Sequence, residues 1–196
     1  MPHPRAIEII RDEHRSFAAV LEGLLHVCGE KRSARGRPDF RLIAAMLDYI
    51  EAFPEKLHHP KEDAYVFARL REVLPESAEM LDDLTAEHVR GRAMIAGLTG
   101  ALTRYRDSAP GAAEAFASAL QRYADFHWVH MRKEEELALP LALATLTTDD
   151  WRAIDAAFAS NADPLVGLPA TKASRELFRR VLNLAPPPLG IGPPRK

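Results

Sequence analysis

The sequence predicts an all-α fold: an antiparallel up-down-up-down four-helix bundle with a short helical C-terminal extension. Three observations predict it. Apolar residues recur at three- and four-residue spacing along four long stretches. Turn formers, not long linkers, separate these stretches. The chain also repeats a pattern. Glu13-His14 is followed some forty positions later by His58-x-x-x-Glu62, and Glu87-His88 is followed at a similar interval by His130-x-x-x-Glu134.

The first helix is expected to run from just after Pro4 to Gly29, with Ile7, Ile10, Phe17, Leu21, Leu24 and Cys28 on its apolar seam and His14 filling the gap in the series. A basic, turn-rich loop from Lys31 to Arg37 follows, and Pro38 suits the start of a helix. The second helix passes through Leu42, Met46, Leu47 and Ile50 and ends near Leu74-Pro75. Pro54 and Pro60 flank His58; each lacks a backbone donor, so a kink or break is expected at that point. The third helix spans about Ser77 to Arg106, with Leu81, Leu84, His88, Gly91, Ile95, Leu98 and Leu102 in register. After the turn Asp107 to Gly111, the fourth carries Phe116, Leu120, Tyr123, His127, His130, Glu134 and Leu137 until Pro140. Short connections between such helices argue for alternating direction.

A bundle of residues 1–142 is therefore expected, followed by an extension, residues 143–196. In the extension, Leu146 to Asp150 reads as a cap before a short helix from Trp151 to about Ala159, a second helix is expected from Ala170 to Leu184, and the tail is rich in proline and glycine. This segment is expected to pack on the bundle or on a neighbouring subunit, which leaves a homodimer open.

Composition narrows the function classes. A chain of 196 residues can bury one substantial core. The net charge of −2, with both signs interspersed, offers no basic face for nucleic acid. No apolar run reaches the roughly 20 residues of a membrane span, and the N-terminus lacks the apolar core of a signal peptide. Cys28 is the single cysteine, which excludes an intrachain disulfide, a Cys-x-x-Cys pair and a zinc-thiolate site. A cytoplasmic location is expected.

The repeated pattern carries the chemistry. Helical residues four apart share a face, so each His-x-x-x-Glu aims an imidazole and a carboxylate at one point. His14, His88, His130 and Glu134 replace apolar residues within apolar seams. Burying such groups without partners is strongly unfavourable, whereas a shared dication compensates them. Four imidazoles and two carboxylates can enclose two metal ions. If both carboxylates bridge, each ion receives two nitrogens and two oxygens, with positions left for water or an oxidant. A nitrogen and carboxylate set without thiolate suits iron or manganese, with zinc an alternative; oxygen chemistry in a helical bundle favours two irons. His59 and Asp63 also stand four apart, but on an α-helix they point about 100° away from the ligand face, which makes them the weaker pair.

At this point the sequence resembles the hemerythrin-like, or HHE cation-binding, family. The resemblance rests on Arg-Asp-Glu-His-Arg-Ser-Phe around His14, Leu-His-His-Pro-Lys-Glu-Asp around His58, Ala-Glu-His-Val-Arg-Gly around His88 and His-Met-Arg-Lys-Glu-Glu-Glu around His130, over about residues 5–142. It implies a non-haem di-iron centre bridged by two carboxylates, with His14, His58, Glu62, His88, His130 and Glu134 as metal ligands. Oxygen-carrying members have a fifth histidine one turn away on the third helix. Here those positions are Leu84 and Arg92. His127, one turn before His130, is the expected replacement ligand or hydrogen-bonding neighbour, and Glu55 takes its place in the first copy. The missing histidine argues against simple reversible oxygen carriage.

Glu13 and Glu87, one residue off the ligand face, are expected to pair with nearby arginines, and Glu135 and Glu136 to continue a solvated stretch. Tyr123 reads as core. Gly91 either leaves space for a small ligand or allows close helix packing. His3 and His26 read as terminal and surface residues. The sequence leaves two functions in competition: a di-iron protein binding or reducing dioxygen, peroxide or nitric oxide, and an iron- or oxygen-sensing module that signals through its C-terminal extension without turnover. A metal-free bundle is the remaining reading. A serine hydrolase is unsupported because no Gly-x-Ser-x-Gly elbow occurs.

Overall fold

The computed structural model describes residues 4–29, 38–161, 163 and 165. The described residues are almost entirely helical and contain no strand, giving the all-α helical bundle that the periodicity predicts. Helix α1 is Arg5–Gly29. Rod α2 covers residues 40–73; it opens as Phe40–Ile50, with the Asp39 carboxylate accepting from the Arg41 and Leu42 amides at its N-terminus, and closes as Ala68–Val73. A turn at Pro75–Ser77 leads to α3, Ala78–Arg106. Rod α4 covers residues 112–145, from Ala112–Lys133 to Leu139–Thr145. Helix α5 is Thr148–Phe158. The predicted helix at 170–184 and the tail at 185–196 lie outside the described residues, as does the predicted loop at 31–37.

Both α1 and α3 pack against α2 and against α4, so the four rods enclose a common interior. That interior holds two separate apolar clusters. One gathers Phe17, Leu21, Ile50, Leu98, Phe116 and Leu120; the other gathers Ile7, Ile10, Phe67, Leu84, Leu139 and Trp151. Buried apolar surface at about 25 cal/mol per Å² is the main stabilising term for such ends. Between them lies a polar layer, since His14 stands between Ile10 and Phe17 on α1 and His88 between Leu84 and Ile95 on α3.

Two expectations about helix geometry, a kink or break at Pro54 and Pro60 and an end at Pro140, meet a more specific outcome. Neither Pro54 nor Pro60 breaks α2. Instead the rod widens into π-wound turns over Glu51–His58 and Glu62–Phe67, with a short α segment, His59–Lys61, between them. A π-turn shifts the bonding ladder by one residue, so the donors the prolines lack are absorbed where the ladder changes. Pro140 likewise does not end α4. It occupies the first turn of Leu139–Thr145, just after the π-wound Glu134–Ala138, where a missing amide costs nothing.

Helix α5 folds back onto the bundle. Thr147 caps it, accepting from the Asp150 amide while Asp150 reaches back to the Thr147 amide. Trp151, Ile154 and Phe158 are buried, and the Ala6 amide donates to Asp155 at 2.7 Å. Among the described residues, no helix is long and apolar enough to cross a membrane.

Candidate metal centre

Seven side chains from the four rods meet in the polar layer. His14, His58, Glu62 and Glu134 offer ligand atoms that all lie within 4.8 Å of one another, and His59, His88 and His130 form a second group by the same measure. Glu134 reaches both groups: Oε2 is 3.3 Å from His14 Nε2, while Oε1 is 3.2 Å from His88 Nε2 and 3.1 Å from His130 Nε2. Glu62 does the same, with Oε2 3.2 Å from His58 Nε2 and 3.6 Å from His88 Nε2. Both carboxylates are fully buried.

The imidazoles of His14, His58, His88 and His130 are each fixed from behind. The Nδ1 atoms donate to carboxylates: His14 to Glu135 at 2.8 Å, His58 to Glu13 at 2.7 Å, His88 to Asp63 at 2.9 Å and His130 to Glu87 at 2.9 Å. A carboxylate at Nδ1 sets the tautomer and turns the Nε2 lone pair inward, which is how protein imidazoles are oriented toward cations. Sequence reasoning missed this role. Glu13 and Glu87 pair with histidines, not arginines. Asn161 also donates to both oxygens of Glu13 (2.8 and 2.9 Å), and Lys133 also bonds Glu87. Glu135 is no solvated extra, because it braces His14. The signal was present: an acid precedes His14 and His88, and an acid follows Glu62 and Glu134.

The electrostatics fit a site built for cations. Burial opposes charge on His58, yet Glu62 and Glu13 outweigh it and hold its pKa well above the usual imidazole range. Burial likewise opposes charge on His88 and His130, but their carboxylates raise them to about 9 and about 10. For Glu134, burial pushes the carboxyl up while His130, His14 and His88 pull it well below its ordinary value. In the protein alone, protons on imidazole thus balance the two buried carboxylates, and a dication can replace them. Even so, both oxygens of Glu62, Glu134 Oε2 and His130 Nε2 are buried without a hydrogen-bond partner. Buried polar atoms of native proteins are nearly always satisfied, so these four converging orphans fit a metal centre.

The remaining predicted ligand stands apart. His127 belongs to neither group, and neither ring nitrogen has a hydrogen-bond partner. Burial, then His130, lowers its pKa to about 3, which leaves the ring neutral. Its Nε2 lies 3.7 Å from Glu55 Oε1. Gly91 packs against both: a Cβ there would meet His127 Cε1 at 3.0 Å and Glu55 Oε1 at 3.2 Å, so close helix packing is what its missing side chain permits. Tyr123 is fully buried and donates to Glu55 at 2.9 Å. His26 is exposed on α1. A small pocket lies against His14 and His58, walled in part by Phe17, Phe53 and Leu57.

With four histidine-carboxylate pairs closing on two shared glutamates, a family assignment can be stated. The sequence profile described as hemerythrin HHE cation binding domain matches residues 5–142. The chain belongs to this family. No curated protein and no solved structure matches it. The match takes in all four rods and stops before α5, so every converging side chain lies within it; from beyond it, Asn161 bonds Glu13 and the Phe158 ring lies edge-on to His58. Members of an HHE cation-binding family hold metal, and the His/Glu cluster here is able to do so.

Proposed function

We propose that this HHE protein holds two iron ions and uses them to bind or reduce a small oxidant such as dioxygen, peroxide or nitric oxide. The proposed ligands are His14, His58, Glu62, His88, His130 and Glu134, with both glutamates bridging. Residues 1–142 form the metal-binding domain and residues 143–196 an extension, and the cytoplasm is the expected compartment. The observation that carries the reading is the pair of fully buried carboxylates, each within reach of imidazoles from both groups and each with an orphaned oxygen. Iron bound there would supply redox chemistry and an open coordination position. The chain's own part is to turn the imidazole Nε2 atoms inward, to exclude bulk water and, through the apolar walls of the pocket beside His14, to admit only small molecules.

Metal analysis after anaerobic reconstitution with ferrous iron tests this reading. About two irons per wild-type chain are expected, with clear loss in His130→Ala. Mixing the reduced protein with each oxidant should then change its optical spectrum. Unchanged spectra with all three would sink the oxidant assignment.

One observation favours the sensing alternative. Lys61 on α2 bonds Ala157, Ser160 and Asn161, and Asn161 in turn bonds Glu13, the carboxylate behind His58. The segment after α5 is thus two hydrogen bonds from a proposed ligand. If it reports metal occupancy, protease access near Asn161 will change with iron while turnover stays negligible.

A further inference from the structure

The two copies of the repeat differ at two buried positions. Aligning His58 with His130 sets His59 opposite Met131 and Glu55 opposite His127. All four are buried, so the asymmetry lies inside the bundle.

Resting on the two-cation reading above, we infer that His59 is a fifth imidazole ligand, given to the cation of His88 and His130 alone, and that Glu55 and Tyr123 are its positioning residues. Three observations support this. His59 offers a ring nitrogen within 4.8 Å of those of His88 and His130, whereas His127 joins no such group. The ring of His59 stacks on that of His88 at 4.3 Å between centroids and 12° between planes, which fixes its pose. Most tellingly, His59 follows the rule of the other four imidazoles: its Nδ1 stands 3.3 Å from the Glu55 carboxylate, which leaves Nε2 as the nitrogen for a cation. Glu55 is held in turn by the Tyr123 hydroxyl on its other oxygen. Each imidazole thus has its own carboxylate, and the buried Glu55 has a stated purpose.

The π-wound backbone explains how two adjacent residues serve one centre. His58 and His59 are 100° apart on an α-helix and would face different sides. Here His59 sits at the junction where the π-wound segment ending at His58 meets a three-residue α segment, and both rings face the polar layer, with centroids 5.5 Å apart.

The pair of cations is therefore unequal. One has two imidazoles, His14 and His58, and lies beside the pocket; the other has three.

Anaerobic titration of the metal-free protein with Co(II), followed by visible absorption and by equilibrium dialysis, tests the inference on wild type, His59→Ala, His59→Gln, Glu55→Gln and His127→Ala. Wild type and His127→Ala are expected to take two equivalents. In His59→Ala and His59→Gln one equivalent weakens at least about tenfold and its absorption band changes; the other is untouched, and added imidazole restores the lost band in His59→Ala. Glu55→Gln weakens the same equivalent by about tenfold, the size expected when the group behind a ligand is altered. Should either His59 variant retain helical circular dichroism and take both equivalents with unchanged affinity and band shape, the inference is overturned while the two-cation reading stands. Should wild type take no cation, both fall together.

Discussion

Gly91 shows how far a single missing methyl group can matter at the scale of the residue. A Cβ at this position would press on the His127 ring and the Glu55 carboxylate at 3.0–3.2 Å, closer than such atoms normally approach. Both neighbours are themselves buried, so neither can swing into solvent. Overpacking of a filled interior costs about 1–3 kcal/mol. Alanine is the better helix former by about 1 kcal/mol, which offsets part of that cost, so Gly91→Ala is expected to lose up to about 2 kcal/mol in urea unfolding. A variant as stable as wild type would show that the contact relaxes freely. At this scale the sequence was legible where residues repeat: the six proposed ligands stand out because imidazoles and carboxylates interrupt apolar seams twice. It was less legible for Glu13, Asp63, Glu87 and Glu135. An acid on a helix is ordinarily a solvated group, and only the placement of the partner helix turns it toward an Nδ1.

At the scale of the element, the helices followed from period and punctuation, and their winding did not. An apolar seam reports which face is inside; it says nothing of whether the ladder bonds to the fourth or fifth residue. Pro54, Pro60 and Pro140 were the available signal, and a break was the ordinary reading of them, because a π-turn survives only where surrounding packing fixes it. His59 was undervalued for the same reason: an α-helical wheel places it off the site. Helix α5 is the element whose contribution is most easily measured. Phe158 is fully buried and sets its ring edge-on to His58, 6.1 Å between centroids. Phe158→Ala should cost about 3–5 kcal/mol by the usual penalty for emptying a packed aromatic site. Thr147→Ala, which removes only the cap, should cost about 1 kcal/mol. Equal and small losses in urea unfolding would mean that α5 is a passenger on the HHE domain.

At the scale of the whole molecule, the polar layer is a weakness that a cation turns into a clamp. The metal-free protein must carry two buried carboxylates and several orphaned atoms between its two apolar clusters. Ligands that bind only the folded state stabilise it by mass action, about 2.7 kcal/mol at a hundredfold excess over Kd for one site. For a chain of this size that corresponds to a rise of roughly 5–10 °C in Tm. Calorimetry with ferrous iron under anaerobic conditions, against the same protein in chelator, should show at least this rise, and a smaller one in Glu134→Gln. Identical midpoints with iron and with chelator would leave the layer as a self-satisfied network with no cation.

The carboxylates behind the imidazoles have one more consequence. Glu13 and Glu87 each serve a histidine of their own copy of the repeat, but Asp63 crosses from the first copy to His88 in the second, and Glu135 crosses back to His14. The halves are thus interlocked and not merely adjacent. A fragment ending in the turn at Pro75–Ser77 would keep three of the six proposed ligands, yet His14 would lose its anchor and Glu62 its second set of neighbours. Two such fragments mixed together are expected to assemble in the presence of metal and to stay apart without it, so the molecule already contains the parts of a metal-dependent split protein.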